Sequence, residues 1–340
     1  MRILVTGGTG FIGSFATVAL TEAGHEVRLL ARDPAKAERT FAPHPVGPAE
    51  VVRGDITDEA SVGRALDGVD GVLHAAAVVA VSRRRAAEVL ATNAAGTRNV
   101  VGGAVEAGVG RIVHTSSVSA LFSPENPRVT PDTEVARPDS AYGQSKAEAD
   151  LYVRGLQDEG APVTIVYPGG VLGPCDPNPT LGAGHGAIVT NYRSGTPIID
   201  GGGWAIVDVR DLADLYVACF GPDPVPPRLV LGGRTLSTDE LNRTLADVAG
   251  RKVRRIPMSP GLLRGLGRLN DQLMRVVPVD FALTGEGMDY LTRWEPTDDT
   301  LALEVLGRPL RPTSETLADT VRWLCQAGHL PAKYAPTLAD

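Results

Sequence analysis

Tyr142 and Lys146 stand four apart in the run Tyr142-Gly143-Gln144-Ser145-Lys146, and on a helix that spacing puts both side chains on one face. A phenol has a reference pKa of about 10, too high for easy proton exchange at neutral pH, and a neighbouring ammonium favours the phenolate and lowers that value. The pair therefore suits proton transfer at a hydroxyl or carbonyl oxygen, with Lys146 tuning Tyr142. Thr115-Ser116-Ser117 lies upstream at the end of an apolar run. A serine hydroxyl there can donate to an oxygen on which charge develops, or can cap the end of a strand.

A second group of residues opens the chain. In Val5-Thr6-Gly7-Gly8-Thr9-Gly10-Phe11-Ile12-Gly13 the glycines follow G-x-x-G-x-x-G between a strand and a helix. Glycine lets backbone N–H groups approach a pyrophosphate, and the helix N-terminus adds roughly half a positive charge. A plain tight turn would use the same residues, but the flanking strand and helix favour a dinucleotide site. Arg32 follows Ala31 at the end of the second strand, where NAD calls for an acidic side chain on the ribose hydroxyls. An arginine there can fork onto a 2′-phosphate, so NADP is expected ahead of NAD, with a solvated surface arginine as the alternative. Asp33-Pro34 reads as the N-cap and first turn of a short helix.

The elements that must hold these residues alternate. Strands are expected over 2–6, 26–31, 49–53, 70–75, 111–115 and 162–167, and helices over 11–23, 58–67, 84–107 and 140–159. This is the pattern of a parallel sheet covered on both faces, and it predicts a doubly wound α/β fold with six strands. Beyond Pro168, Gly and Pro become dense and the alternation is lost, with helices reappearing near 209–220 and 237–249. The expected division is a dinucleotide-binding domain over 1–168, to which 204–231 returns, and a smaller mixed substrate lobe from 169–203 and 232–340. Within that lobe a helix is expected over 259–278. Leu262, Leu263, Leu266, Leu269, Leu273 and Val277 recur at helical spacing, with Arg264, Arg268 and Arg275 between them. Core packing is the plainer reading, and a lid over an apolar substrate or a membrane-surface contact the alternatives.

Bulk properties narrow the classes. At 340 residues, with 43% hydrophobic and 21% charged, the chain can bury a sizeable core. A formal net charge of -7 with dispersed cations argues against nucleic acid as a partner. The run Arg83-Arg84-Arg85 is read as a solvated helix start. Cys175, Cys219 and Cys325 lack the spacing of a metal site, so no metal is expected. No apolar run spans a bilayer and none resembles a signal sequence, so a soluble, cytoplasmic protein is expected.

Taken together, these landmarks resemble the extended short-chain dehydrogenase/reductase family, within the NAD-dependent epimerase/dehydratase superfamily, over nearly the whole chain. The nearest branch is that of dihydroflavonol reductases and 3β-hydroxysteroid dehydrogenases. The resemblance implies a Rossmann-type fold and gives roles to matching positions. Ser117 becomes the catalytic serine, with Ser116 the alternative, and Asn93 in Thr92-Asn93-Ala94 the mid-helix asparagine that joins the proton path, unless it is an ordinary helix residue. Asp55 and Ile56 in Gly54-Asp55-Ile56-Thr57 match the adenine-contacting stretch, although Asp55 equally suits an Asx turn. Ala75 and Ala76, after His74, match the small-residue strand end that lets the cofactor pass; His74 itself reads as a core histidine. Pro168 begins the stretch that meets the nicotinamide carboxamide, and Lys146 also reaches the nicotinamide ribose. Tyr167 stands where nucleotide-sugar members carry arginine, and Trp204-Ala205-Ile206 also departs from their pattern. The implied activity is hydride transfer on a small, fairly apolar carbonyl or alcohol. The alternatives are a nucleotide-sugar epimerase or dehydratase, with Arg193, Arg228, Arg254 and Arg255 available to a diphosphate, and a non-catalytic NmrA-like nucleotide sensor. The resemblance also implies a homodimer formed through the helix bearing Tyr142 and the helix over 84–107.

Overall fold

A computed structural model describes residues 1–79, 85–274 and 284–338. The first half runs β1 (Arg2–Thr6), α1 (Phe11–Glu22), β2 (Glu26–Ala31), α2 (Pro34–Phe41), β3 (Glu50–Arg53), α3 (Glu59–Leu66), β4 (Gly71–His74) and α4 (Ala86–Thr97). A π-helical turn at Arg98–Gly102 leads into α5 (Gly103–Glu106), β5 (Arg111–Thr115), α6 (Ala141–Asp158) and β6 (Val163–Pro168). Next come β7 (Gly170–Leu172), α7 (Ala183–Ser194), β8 (Thr196–Ile198), β9 (Trp204–Asp208), α8 (Val209–Cys219), β10 (Arg228–Leu231) and β11 (Arg234–Leu236). The chain closes with α9 (Thr238–Ala249), β12 (Arg255–Pro257), α10 (Pro260–Leu273), α11 (Gly285–Arg293), α12 (Thr300–Leu306) and α13 (Thr313–Gln326).

The main sheet has the order β10-β6-β5-β4-β1-β2-β3, and every neighbouring pair in it is parallel. Such a sheet needs cover on both faces, and β1 shows how the sequence supplies it. Ile3 and Val5 enter one core cluster and Leu4 the other, all of them fully buried. The doubly wound expectation holds, with one correction: the sheet has seven strands, because β10 pairs with β6. Its apolar core, Leu229-Val230-Leu231, is only three residues long and follows a proline-rich stretch, too short for a periodicity to declare it. Residues 204–231 divide between two sheets, since β9 joins β7 and β11 in a separate three-stranded sheet.

Side-chain caps start the helices that matter most here. Asp33 accepts from the Ala35 N–H at the head of α2, and Ser140 from the Gly143 N–H at the head of α6. A third cluster, centred on Leu241, Leu245, Leu317 and Leu324, holds the later segments together. The expected helix over 84–107 resolves into α4, the π-helical turn and α5, and its arginines Arg83 and Arg84 lie outside the described residues. In α10 only Leu263 and Gly267 are buried, while Leu262, Leu266, Leu269 and Leu273 are 40–55% exposed. Core packing is therefore not what those four leucines do; Arg275 and Val277 lie outside the described residues. Among the described residues no helix is long and apolar enough to cross a membrane.

Candidate active site

The strand order changes direction between β1 and β4, which places a crevice beyond their C-terminal ends. Gly7 leaves β1 at φ 78°, and a Cβ there would stand 2.6 Å from the Ala76 nitrogen and 2.7 Å from the Ala75 carbonyl. Only glycine allows that approach. Gly10 donates to the Gly7 carbonyl at 2.9 Å, and a Cβ on Gly13 would overlap that same carbonyl. No side chain caps α1 at Gly10, so the first-turn amides of Phe11, Ile12 and Gly13 are left to another acceptor. The Phe11 ring lies edge-on to His185 at 5.0 Å. This bare cradle fits a pyrophosphate.

Arg32 is 75% exposed at the end of β2, with Asp55 4.0 Å away. An exposed guanidinium held this loosely remains available to an anion. Asp55 forms the Asx turn that the sequence also allowed, its Oδ1 accepting from the Thr57 N–H at 2.9 Å and hydroxyl at 2.8 Å. Burial pushes this carboxyl up, but the Thr57 hydrogen bonds and Arg32 outweigh it and hold it below its ordinary value. The Ile56 carbonyl accepts from Asn99 at 2.9 Å, and its side chain lies against Gly96. Lys36, unremarked in the sequence, donates to Asn178 at 3.3 Å and links α2 to the loop after β7.

At the next strand ends, Lys146 is buried and its ammonium donates to the Thr115 carbonyl at 2.8 Å, which ties α6 to β5. Burial pulls Lys146 down to about 8, and Asp150 opposes that shift. The Ser117 hydroxyl accepts from the Ser119 N–H at 3.2 Å, the capping role that the sequence also allowed. Burial pushes the Tyr142 phenol up, and only Ser117 works against it. The lowering expected from Lys146 is absent in the chain alone, whose ammonium instead depresses His74 and His114. Asn93 is buried, accepting from the Val78 N–H at 2.7 Å and donating to the Val78 carbonyl and to Ser145 at 3.1 and 2.9 Å. It thus fastens the segment after β4 to the helix carrying Tyr142. His74 is a core histidine, 2.7 Å from the Thr6 hydroxyl and stacked on His114. Pro168 ends β6 beside Leu231.

Three residues of this neighbourhood escape a motif search. Asp150 and Arg154 continue the face of α6 that bears Tyr142 and Lys146, each four positions on. Asp150 is fully buried, with the Arg154 Nε 2.8 Å from its carboxylate, and Arg154 also donates to the Tyr167 hydroxyl at 3.1 Å. Arg154 therefore brings a guanidinium from α6 against the position where the sequence has Tyr167 instead of arginine. Glu286, from α11, accepts from both the backbone N–H and the hydroxyl of Ser140. The i, i+4 spacing of Asp150 and Arg154 is local, but their burial against Tyr167 is not, and the Glu286 contact spans 146 positions.

Residues 3–228 match the model of the NAD dependent epimerase/dehydratase family. A putative dihydroflavonol 4-reductase from Synechocystis sp. is 26% identical over 96% of this chain and 95% of its own. Sterol demethylase protein B from Methylococcus capsulatus is 28% identical over 96% of this chain and 99% of its own. Among solved structures, a dTDP-glucose 4,6-dehydratase from Streptomyces venezuelae with NAD bound is 27% identical, covers 97% of this chain and 99% of its own, and superimposes with a TM-score of 0.71.

Proposed function

The chain belongs to the NAD dependent epimerase/dehydratase family, and from that premise we propose that it is an NADP-preferring oxidoreductase acting on a small, fairly apolar carbonyl or alcohol. The observation that carries this reading is the placement of Tyr142 and Lys146 one turn apart on α6, with the Lys146 ammonium bonded to the Thr115 carbonyl at the end of β5, two residues before Ser117. That edge of the sheet is also where Gly7, Ala75 and Ala76 keep the backbone bare. A bound nicotinamide supplies or accepts the hydride. Tyr142 gives its proton to the substrate oxygen, or takes it in the reverse direction, and Ser117 donates to that oxygen as charge develops. Lys146 would hold the nicotinamide ribose through its ammonium, and Arg32 the 2′-phosphate.

An apolar substrate is supported by the engagement of three of the four arginines available to a nucleotide-sugar diphosphate, Arg254 being the fourth. Arg193 donates to the His329 carbonyl, Arg228 lies near Asp132, and Arg255 pairs with Asp239. They sit on α7, β10 and β12. The names of the two relatives, a dihydroflavonol reductase and a sterol demethylase protein, fit the same substrate class.

The test is a titration of the protein and of Arg32→Ala with NADPH and NADH side by side, followed by NADPH-dependent reduction of aryl aldehydes and ketones. Wild type should bind NADPH more tightly, and the variant should lose affinity for NADPH far more than for NADH. Equal losses would sink the 2′-phosphate assignment. NAD carried tightly through purification would favour the epimerase alternative, and binding without turnover of any carbonyl the sensor.

A further inference from the structure

The head of the catalytic helix is held from outside the main sheet. Glu286, in the first turn of α11, accepts from the Ser140 N–H through Oε2 at 2.6 Å and from the Ser140 hydroxyl through Oε1 at 2.8 Å. Ser140 is the N-cap of α6, and its hydroxyl accepts in turn from the Gly143 N–H at 3.0 Å. Tyr142 lies between those two positions. A carboxylate at that end of an 18-residue helix meets the positive end of the helix dipole. One turn further along α11, Tyr290 stacks on Phe122 with ring centroids 4.3 Å apart, so the same helix face adjoins the loop after Ser117. The other side of α11 offers Met288 and Leu291 to Leu263 of α10 and to Ile199.

A contact that served only cohesion would need no charge. The apolar side of α11 already supplies cohesion, and burial pushes the Glu286 carboxyl above its ordinary value, which marks a cost to keeping it ionised there. The capping of Gly143 by Ser140 would also persist without Glu286. What Glu286 adds is direction: with its hydroxyl proton given to the carboxylate, Ser140 must turn its lone pairs toward Gly143.

We propose that Glu286 is a positioning residue for Tyr142: by gripping both donors of Ser140 it fixes the first turn of the catalytic helix, and so makes placement of the proton donor depend on how the α10–α11 pair is seated. This rests on the reading of Tyr142 as the proton donor. Nothing in the inference requires Glu286 to touch substrate or cofactor.

The experiment compares wild type with Glu286→Ala and Glu286→Gln, the latter close in shape and the safeguard against misfolding, as NADPH-loaded proteins. Hydrogen exchange of the amides at 141–146 is measured together with kcat and KM for 4-nitrobenzaldehyde. Faster exchange at 141–146, with kcat down about tenfold for Glu286→Ala, less for Glu286→Gln, and little change in KM or NADPH affinity, is the expected result. Exchange unaltered in both variants overturns the inference whatever the activity. Faster exchange with kcat unchanged overturns it as well, since the contact would then be structural only. If wild type binds NADPH but reduces no carbonyl, the oxidoreductase reading is what fails, and the exchange measurement still decides whether Glu286 holds the helix.

Discussion

Tyr142 is kept protonated by its surroundings: burial raises the phenol, and its opposing partner is the Ser117 hydroxyl. Lys146 is the reverse case, a buried cation pulled down to about 8 that Asp150 helps to keep charged. A phenol kept protonated is a suitable donor to a carbonyl oxygen, which fits the proposed reduction. Replacing Tyr142 by Phe removes that proton and little else, so turnover of a reducible carbonyl should fall on the order of a hundredfold while NADPH affinity stays nearly constant. Steady-state kinetics with a parallel NADPH titration checks this; unchanged turnover would remove Tyr142 from the mechanism. The tyrosine and the lysine were readable in advance as one helix face, because helical spacing carries that geometry, while the serine came from the family resemblance, with Ser116 as its alternative. Their electrostatics were not readable: the Lys146 ammonium bonds to the Thr115 carbonyl, a direction that no spacing encodes.

In α10, helical periodicity correctly announces a helix but not the side on which it is buried. Its leucines occupy adjoining faces, and the chain buries the one containing Leu263 and Gly267. Gly267 explains the choice. A Cβ there would stand 2.9 Å from both the Met288 Cγ and the Thr284 carbonyl, so α11 can close only on a bare backbone. Leu263→Ala should therefore cost about 2–4 kcal/mol. Leu269→Gln, at a side chain 52% exposed, should cost no more than about 0.5 kcal/mol. Urea unfolding midpoints measure both, and a comparable loss at Leu269 would mean that the leucine stripe is covered in solution. The glycine-rich first turn behaves differently: there the sequence pattern, the backbone conformation and the close approach to β4 agree, because a missing Cβ has the same meaning at every level.

For the molecule as a whole, the buried pair His74 and His114 makes stability depend on acid. Burial, aided by Lys146, lowers His74 to about 3, and burial also lowers His114. Neither ring nitrogen of His114 has a hydrogen-bond partner among the described residues. The folded chain thus refuses protons that the unfolded chain accepts below its ordinary histidine pKa of about 6.5. Stability is complete above that value and falls as the pH drops towards His74's folded value, by about 1.4 kcal/mol per pH unit for each such histidine. Melting temperatures at pH 7 and pH 5 should differ accordingly, and His114→Leu, which removes an unpartnered polar ring, should lessen the difference; an unaltered difference would refute this source of acid sensitivity. The doubly wound order, the bare cradle after β1, the Arg32 position and the Tyr-Lys face were all written in local patterns, since strands, helices and glycine turns are decided by neighbours close in the chain. The seventh strand, the Asp150–Arg154–Tyr167 cluster, the outward leucines of α10 and the grip of Glu286 on Ser140 were decided only on folding. Each depends on which distant surfaces meet, and that is set by packing and desolvation over the whole core rather than by any run of residues.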